Sequence, residues 1–492
     1  MRPALSWTDL SGARVGVWGL GIEGTANLER LGELGADLVV VEDSPPPETV
    51  LGHTVMPLAG GGFEALLTRD VVVKTPGVRR RRPEVAQLEA AGIPVVGGLG
   101  LWMQEAPRER VLAITGTKGK STTTAIAGHL LEHFGRRTLV AGNIGRAPYD
   151  ALLPRDFDFA VIEVSSYQAT DLACCPPVVA VTSLHPDHLD WHGGVEEYYR
   201  DKLSACSQPG ADLTVADGDS PLLRARVDQL GPRVCWVASA GAGLDGANLD
   251  GANLDGANLD GAGAGRAAAD RSPLPGLLGV DLGPAGLAGP WLEALGLPGA
   301  HNRRNAMIAR ACLLALGVPE AADGEAMARA AEGFEGLPSR LRPIGIVAGV
   351  TFVDDSLSTN VLPTVAALEA YPGERVALIV GGHDRGIDYQ PLAEALAERA
   401  AAAGAGAGAV AVFTLPENGT RISARIREHG GDATEVRDCE DLESAVRAGF
   451  LWARQTPAGV VLLSPAASSF GQFRNYQDRA AVFAAAMQHC AS

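Results

Sequence analysis

The residues best suited to chemistry crowd one short segment, Gly116-Thr117-Lys118-Gly119-Lys120-Ser121-Thr122. Glycines, lysines and a hydroxyl at this spacing suit a polyphosphate. Backbone N–H groups in a tight glycine turn and at a helix start present positive ends to phosphate oxygens. Lys120 adds a point charge at the terminal phosphates, and Ser121 offers a hydroxyl to Mg²⁺. The spacing is shorter than the common G-x-x-x-x-G-K-[ST] form, so context carries the argument. An apolar run over 110–114 predicts a buried strand before the loop, and an Ala/Leu-rich pattern over 123–133 predicts a helix after it. The plainer alternative, a Gly/Thr-rich connecting turn, leaves Lys-Ser at the helix start unexplained.

Three more positions could serve a phosphate site. Glu163 closes an apolar run and could hold Mg²⁺; the alternative is a capping or salt-bridged surface carboxylate. His188 lies in His185-Pro186-Asp187-His188-Leu189-Asp190-Trp191-His192, whose spacing matches no zinc ligand set. A magnesium ligand through one histidine and an ordinary polar loop are both open. Lys202 sits in an amphipathic helical pattern and by itself reads as a solvated surface lysine.

These residues need a scaffold. Apolar runs over 138–141, 159–164 and 178–183 each end in polar residues: Gly142-Asn143-Ile144-Gly145, Ser165-Ser166-Tyr167-Gln168 and the histidine loop. Strands that terminate in such loops fit a doubly wound α/β sheet. Before it, a strand over 14–18, the turn Gly19-Leu20-Gly21-Ile22-Glu23-Gly24, a helical pattern and a strand over 37–41 ending in Glu42-Asp43 form a βαβ unit with a dinucleotide-type glycine fingerprint. That fingerprint alone could bind NAD, bind another nucleotide diphosphate, or only pack a helix on a sheet. Val71 to Val73 lead into Lys74-Thr75-Pro76-Gly77, a strand tip where ligands sit. From about Ser339, runs over 351–353, 375–380, 409–414 and 459–463 predict a third α/β segment, with Asp354-Asp355-Ser356, Gly381-Gly382-His383-Asp384-Arg385 and Ser464 to Ser469 at its tips.

Length and composition bound the rest. The 492 residues suggest about three domains. A 46% hydrophobic, 20% charged chain is globular, and the net charge of −17 disfavours non-specific nucleic-acid binding. No apolar run of about 18 residues predicts a membrane span, and residues 1–10 lack a signal-peptide pattern, so a cytoplasmic protein is expected. Seven cysteines without regular spacing read as buried, reduced thiols. Ala-Asn-Leu-Asp-Gly recurs in tandem over 247–261, inside a low-complexity stretch over 241–265 that reads as a surface loop expansion; 401–409 is a second Ala/Gly expansion.

Taken in order, the Thr-Gly-Thr-Lys-Gly-Lys-Ser-Thr loop, Gly142-Asn-Ile-Gly145, Glu163-Val-Ser-Ser-Tyr-Gln168, Asp187-His188-Leu-Asp190, Lys202, Gly299-Ala-His-Asn302-Arg-Arg-Asn305, Leu337-Pro-Ser-Arg340 and Asp354-Asp355-Ser356 resemble the Mur ligase family over nearly the whole chain. The resemblance implies three domains: UDP-substrate binding over 1–108, ATP binding over 109–338, and a Rossmann-like glutamate domain over 339–492. It implies an ATP- and Mg²⁺-dependent amide ligase that adds glutamate to UDP-N-acetylmuramoyl-L-alanine through an acyl phosphate. Carried over by motif, residues 116–122 would bind ATP phosphates, and Ser121, Glu163, His188 and a carbamylated Lys202 would serve the metal. Asn302 and Asn305 would contact adenine. Arg340 and Asp355 would reach ATP, and with Lys120, His188 and Lys202 make up the catalytic set. Gly19, Leu20, Gly21, Thr75, Pro76 and Gly77 would cradle the uridine nucleotide, Asn143, Ser165 and Ser166 would lie near the muramoyl group, and Thr359, Arg385, Ser469 and Tyr476 are further substrate-binding candidates.

The sequence departs from the D-glutamate-adding pattern. Those enzymes usually carry Asp-Ser-Lys-Ala-Thr; here Leu357 replaces the lysine in Asp355-Ser356-Leu357-Ser358-Thr359. A second lysine, after the Gly-Gly turn, is replaced within His383-Asp384-Arg385-Gly386. These forms are similar to a subgroup that adds L-glutamate, whose product a separate epimerase then inverts, so L-glutamate is expected over D-glutamate. A folylpolyglutamate synthase-like ligase is disfavoured by the segment of about 100 residues before the phosphate loop. An NAD-dependent dehydrogenase leaves Lys120, His188 and Lys202 unexplained, and those same residues argue against a non-catalytic scaffold.

Overall fold

Short Val/Ile/Leu-rich runs form strands buried on both faces, and the helical patterns between them cover those faces, so the alternation becomes three separate sheets. The computed structural model describes residues 2–43, 48–238, 281–282, 287–384, 386–403, 408–430, 434–469 and 471–491. The repeat insert over 241–265, part of the second Ala/Gly expansion and Arg385 lie outside the described residues.

The first sheet contains β1 (Arg14–Trp18), β2 (Asp37–Glu42), β3 (Thr49–Val50), β4 (His53–Pro57), β5 (Val71–Lys74) and β6 (Val95–Gly97), in the order β3-β4-β2-β1-β5-β6. Every pairing in it is parallel except β3 with β4. The second contains β7 (Val111–Thr115), β8 (Thr138–Gly142), β9 (Phe159–Glu163), β10 (Val178–Val181), β11 (Leu213–Asp217), β12 (Val234–Val237) and β13 (Asp281–Leu282). Its order is β13-β12-β11-β10-β7-β9-β8, parallel throughout. The third contains β14 (Arg342–Val347), β15 (Val350–Asp354), β16 (Val376–Val380), β17 (Val410–Thr414), β18 (Glu435–Asp438) and β19 (Val460–Leu463), in the order β14-β15-β19-β16-β17-β18. There only β14 and β15 pair antiparallel. Thus the α/β class and the doubly wound central sheet expected from sequence are present.

The chain divides into two compact units, residues 1–295 with 304–334, and residues 296–303 with 335–492. The first unit holds the first two sheets. They meet across charged and polar contacts that are mostly buried. Lys74, fully buried at the tip of β5, pairs with Asp171, and Arg80 binds both Asp171 and Glu89. Glu23 accepts from Gln168 Nε2 at 2.6 Å, and Tyr149 donates to Asn27 Oδ1 at 2.7 Å. A side chain at Gly98 would collide with the Tyr149 hydroxyl and Asn27, so glycine is what lets that helix start come close.

Several strands lacked a clear sequence signal: β4, β6, β11, β12, β14 and β18. The last, Glu-Val-Arg-Asp, is largely exposed at a sheet edge, where no apolar run is required. All seven cysteines are free thiols; five are buried as expected, but Cys439 and Cys490 are only half-buried. Among the described residues no helix is long and apolar enough to cross a membrane.

Candidate active site

The phosphate-type loop runs from the tip of β7 to a helix spanning Lys120–His133. Gly116 (φ 136°) and Gly119 (φ 84°) both take conformations that favour glycine. The helix has no side-chain cap at its N-terminus, which suits an anion there. The tip of β10 pins the loop. Thr117 N–H donates to Ser183 O at 2.9 Å, Lys118 N–H to Ser183 Oγ at 2.8 Å, and Thr182 Oγ1 to Lys118 O at 2.5 Å. Thr117 Oγ1 lies 2.8 Å from the Tyr198 hydroxyl. A Cβ at Gly119 would strike the side chain of Asn305, so this asparagine stands directly over the loop.

Cations gather at this loop. Lys120 Nζ donates to Gly116 O at 2.9 Å and Thr117 O at 3.1 Å, and Lys118 Nζ to Asp187 Oδ2 at 3.1 Å. Lys202 is not a solvated surface lysine: it is 2% exposed, and its Nζ donates to Gly116 O at 2.9 Å. Burial pushes the Lys202 pKa far below the ordinary lysine value, and the charges of Lys120 and Lys118 push it the same way against Asp187 and Glu163.

Glu163 is buried at the tip of β9 and is not a surface carboxylate. Its Oε1 accepts from Asn143 Nδ2 at 2.6 Å, while Oε2 is buried with no hydrogen-bond partner among the described residues. An ionised oxygen in that state invites a cation. No group of three or more His, Cys, Asp or Glu forms a metal cage among the described residues. A closed cage suits zinc; Mg²⁺ keeps waters and phosphate oxygens and needs only one or two carboxylates. The residues present therefore fit Mg²⁺, with Glu163 and the hydroxyl of Ser121 as the natural donors. His188 is exposed, adopts φ 51°, and has its ring 5.2 Å from that of Tyr167.

Around this centre the turn after β9 is tightly organised. Ser165 caps the Ser166–Ala169 turn by accepting from Gln168 N–H at 3.1 Å. Ser166 Oγ lies 3.0 Å from His192 Nε2, and His192 Nδ1 lies 2.7 Å from Asp201 Oδ2. Arg81 grips both oxygens of Asp201, at 2.7 and 2.6 Å. Neither His192 nor Asp201, nor Tyr198, was singled out from the sequence; Tyr198 falls one helical turn before Lys202, a spacing that brings both to one face.

At the tip of β1, Gly19 (φ 96°) approaches Thr75 so closely that a Cβ would overlap its hydroxyl, and a Cβ at Gly24 would meet the Gly19 carbonyl. Leu20 N–H donates to Glu42 Oε2 at 2.9 Å, and Gly21 precedes the helix Ile22–Glu33. Gly77 O accepts from Trp191 Nε1 at 3.3 Å. Pro76 lines a narrow cleft with Glu23, Lys74, Gly97, Gln168 and Asp171.

In the second unit Asp355 is buried and accepts from Leu341 N–H (3.0 Å), Ser358 Oγ (2.5 Å) and Ser464 Oγ (2.6 Å). Burial pushes its pKa up to about 6, against these hydrogen bonds and the charge of Arg340. Asn302 Nδ2 donates to Pro298 O at 2.8 Å. Leu357 and Thr359 are half-buried; Ser469 is buried, and Tyr476 begins the helix Tyr476–His489. The hydroxyl of Ser468, beside Ser469, is buried without a partner among the described residues.

A family profile described as the Mur ligase middle domain matches residues 114–255. A UDP-N-acetylmuramoyl-L-alanine--L-glutamate ligase from a Micromonospora strain is 40% identical over 98% of each chain. A UDP-N-acetylmuramoylalanine--D-glutamate ligase from Gloeobacter violaceus is 35% identical over 98% of this chain and 100% of its own. The crystal structure of a UDP-N-acetylmuramate-alanine ligase from Thermotoga maritima has the same fold, with a TM-score of 0.52 at 19% identity, over 97% of this chain and 99% of that one.

Proposed function

The chain belongs to the Mur ligase family of ATP-dependent ligases, and we propose that it joins L-glutamate to UDP-N-acetylmuramoyl-L-alanine in peptidoglycan precursor synthesis, in the cytoplasm. The observation that carries this reading is the end-to-end 40% identity to a ligase of that name, together with an arrangement of residues 116–122, Glu163 and Lys202 suited to a metal-bound triphosphate. On this reading residues 1–108 hold the uridine nucleotide, 109–338 hold ATP and 339–492 hold glutamate.

The chemistry explains the cations. A carboxylate does not condense with an amine at neutral pH, because its oxide is a poor leaving group. An oxygen of the alanyl carboxylate attacks the γ-phosphorus of ATP, the bond to ADP breaks, and an acyl phosphate forms. The glutamate amine then attacks the acyl carbon and loses a proton, and phosphate departs. Two anions must meet in the first step, so the chain must screen their repulsion. Lys118 and Lys120 supply fixed positive charge at the loop. Glu163 and Ser121, with His188 and a carbamylated Lys202, would hold Mg²⁺, which when bound neutralises phosphate charge. Asn302, Asn305, Arg340 and Asp355 are assigned to the nucleotide. Gly19, Leu20, Gly21, Thr75, Pro76 and Gly77 are assigned to the uridine diphosphate, and Asn143, Ser165 and Ser166 to the muramoyl end.

The half-buried Leu357, where a lysine would grip D-glutamate, supports the L-isomer, as does the Micromonospora relative; the relative from Gloeobacter supports the D-isomer. An L-glutamyl product calls for a separate epimerase to invert the new residue. The test is an incubation of purified protein with UDP-N-acetylmuramoyl-L-alanine, ATP, Mg²⁺ and either isomer, read by product mass and phosphate release. Coupling of L-glutamate is expected; coupling of only D-glutamate transfers the assignment to the second reading, and coupling of neither overturns both.

A further inference from the structure

We propose that His192 is a positioning residue that ties together the three segments bearing Glu163, His188 and Lys202, and so sets the affinity of this site for a divalent cation. The inference rests on the reading above that these three residues serve one metal–phosphate site.

The geometry is a chain of contacts among mostly buried groups. His192 is 2% exposed and Asp201 is 7% exposed. Asp201 is held by both guanidinium nitrogens of Arg81, so it is an ionised acceptor, and the 2.7 Å contact is a donation from His192 Nδ1–H. On the other edge of the ring, Nε2 lies 3.0 Å from Ser166 Oγ. Each link belongs to a different candidate segment. Ser166 begins the turn three residues after Glu163, and Asp201 adjoins Lys202 on the helix Val195–Leu203. His192 itself closes the turn Leu189–His192, whose first flanking residue is His188.

That last point gives the relay its purpose. His188 holds a left-handed backbone (φ 51°), which side-chain-bearing residues adopt only when their surroundings dictate it. Its carbonyl receives Trp191 N–H at 3.1 Å and His192 N–H at 3.2 Å. The turn is thus anchored at one end by the His192 ring, and the exposed His188 is carried at the other. Without the anchor, His188 relaxes toward an ordinary conformation and its ring leaves the site.

The test compares His192→Ala, His192→Asn, Ser166→Ala and wild type. The readouts are Mn²⁺ binding in the presence of ADP by calorimetry, the Mg²⁺ concentration for half-maximal ligation, and thermal melting. His192→Ala is expected to weaken Mn²⁺ binding and raise the Mg²⁺ requirement by about tenfold or more. His192→Asn keeps a donor toward Asp201 and is expected to recover most of the loss. A folded His192→Ala protein with wild-type Mn²⁺ affinity overturns the proposal, as does His192→Asn binding no better than His192→Ala. If His192→Ala does not fold, Ser166→Ala takes its place: it removes one hydroxyl, weakened Mn²⁺ binding is expected, and wild-type affinity overturns the relay. Wild-type protein that neither binds Mn²⁺ with ADP nor ligates either glutamate isomer brings down the underlying reading, and this inference with it.

Discussion

Lys120 and Lys202 donate to one oxygen, the carbonyl of Gly116, each at 2.9 Å. They arrive from two different helices, and their ammonium groups compete when both are charged. Lys120 borders the open loop, whereas Lys202 is buried, so Lys202 is the one driven toward the neutral amine. A neutral lysine amine is a nucleophile toward CO₂, which is the chemistry carbamylation requires. Lys202→Ala should therefore lower kcat by about 100-fold or more, and added short carboxylic acids should restore part of the rate by replacing the missing carboxylate. Activity assays across acetate and formate concentrations check this; no recovery at any concentration leaves Lys202 a structural donor to Gly116.

Lys120→Ala should reduce phosphate release by about 100- to 1000-fold with all substrates present. The effect should fall on kcat, since the substrates keep their other contacts. A wild-type turnover number would remove the phosphate-loop assignment.

Glu163→Gln keeps the contact with Asn143 but removes the charge behind the unpartnered Oε2. The Mg²⁺ concentration for half-maximal activity should rise by about tenfold or more, and high Mg²⁺ should recover much of the rate. Melting in the absence of metal should be unchanged or higher, because a buried, unsatisfied charge has been taken away.

Glu23 supplies a pH prediction. Burial pushes its carboxyl up to about 7 from an ordinary 4.5, opposed by the hydrogen bond from Gln168. A pKa raised on folding means that the native state binds the proton more tightly than the unfolded chain does. Its contribution is complete below about 4.5 and is lost as pH rises through about 7. Glu23→Gln cannot titrate, so its melting temperature relative to wild type should climb across that interval. A difference that stays constant with pH would show that Glu23 does not ionise there.

Much of this fold was legible because its strands are short, continuous apolar runs. Residues 14–18 and 376–380 are buried almost end to end and admit no other partner than a two-sided sheet. The loop at 116–122 was legible for a local reason: glycine conformation and lysine placement are properties of adjacent residues. Glu163 and Lys202 were visible as residue types but not as environments. Burial depends on the other chain segments packed against them, which is why Lys202 taken alone read as a solvated surface lysine. His192 was visible only as one member of the histidine-rich loop, and Asp201 carried no local signal. Their pairing spans nine positions, and Arg81 reaches Asp201 from the turn after β5. Edge strands such as β18 were missed for the opposite reason, since their exposed residues need no apolar pattern.

The buried pair Lys74 and Asp171 has a further meaning for inheritance. Lys74 ends β5 of the first sheet and Asp171 lies in the connection between β9 and β10 of the second, and the two closed-in charges are paired. Losing Asp171 strands Lys74 in a dry interior, a penalty of about 3–5 kcal/mol, and losing Lys74 leaves Asp171 to Arg80 alone. Neither position can drift independently, and a chimera that grafts the first sheet of a distant relative onto this central sheet will fold poorly unless both halves of the pair travel together.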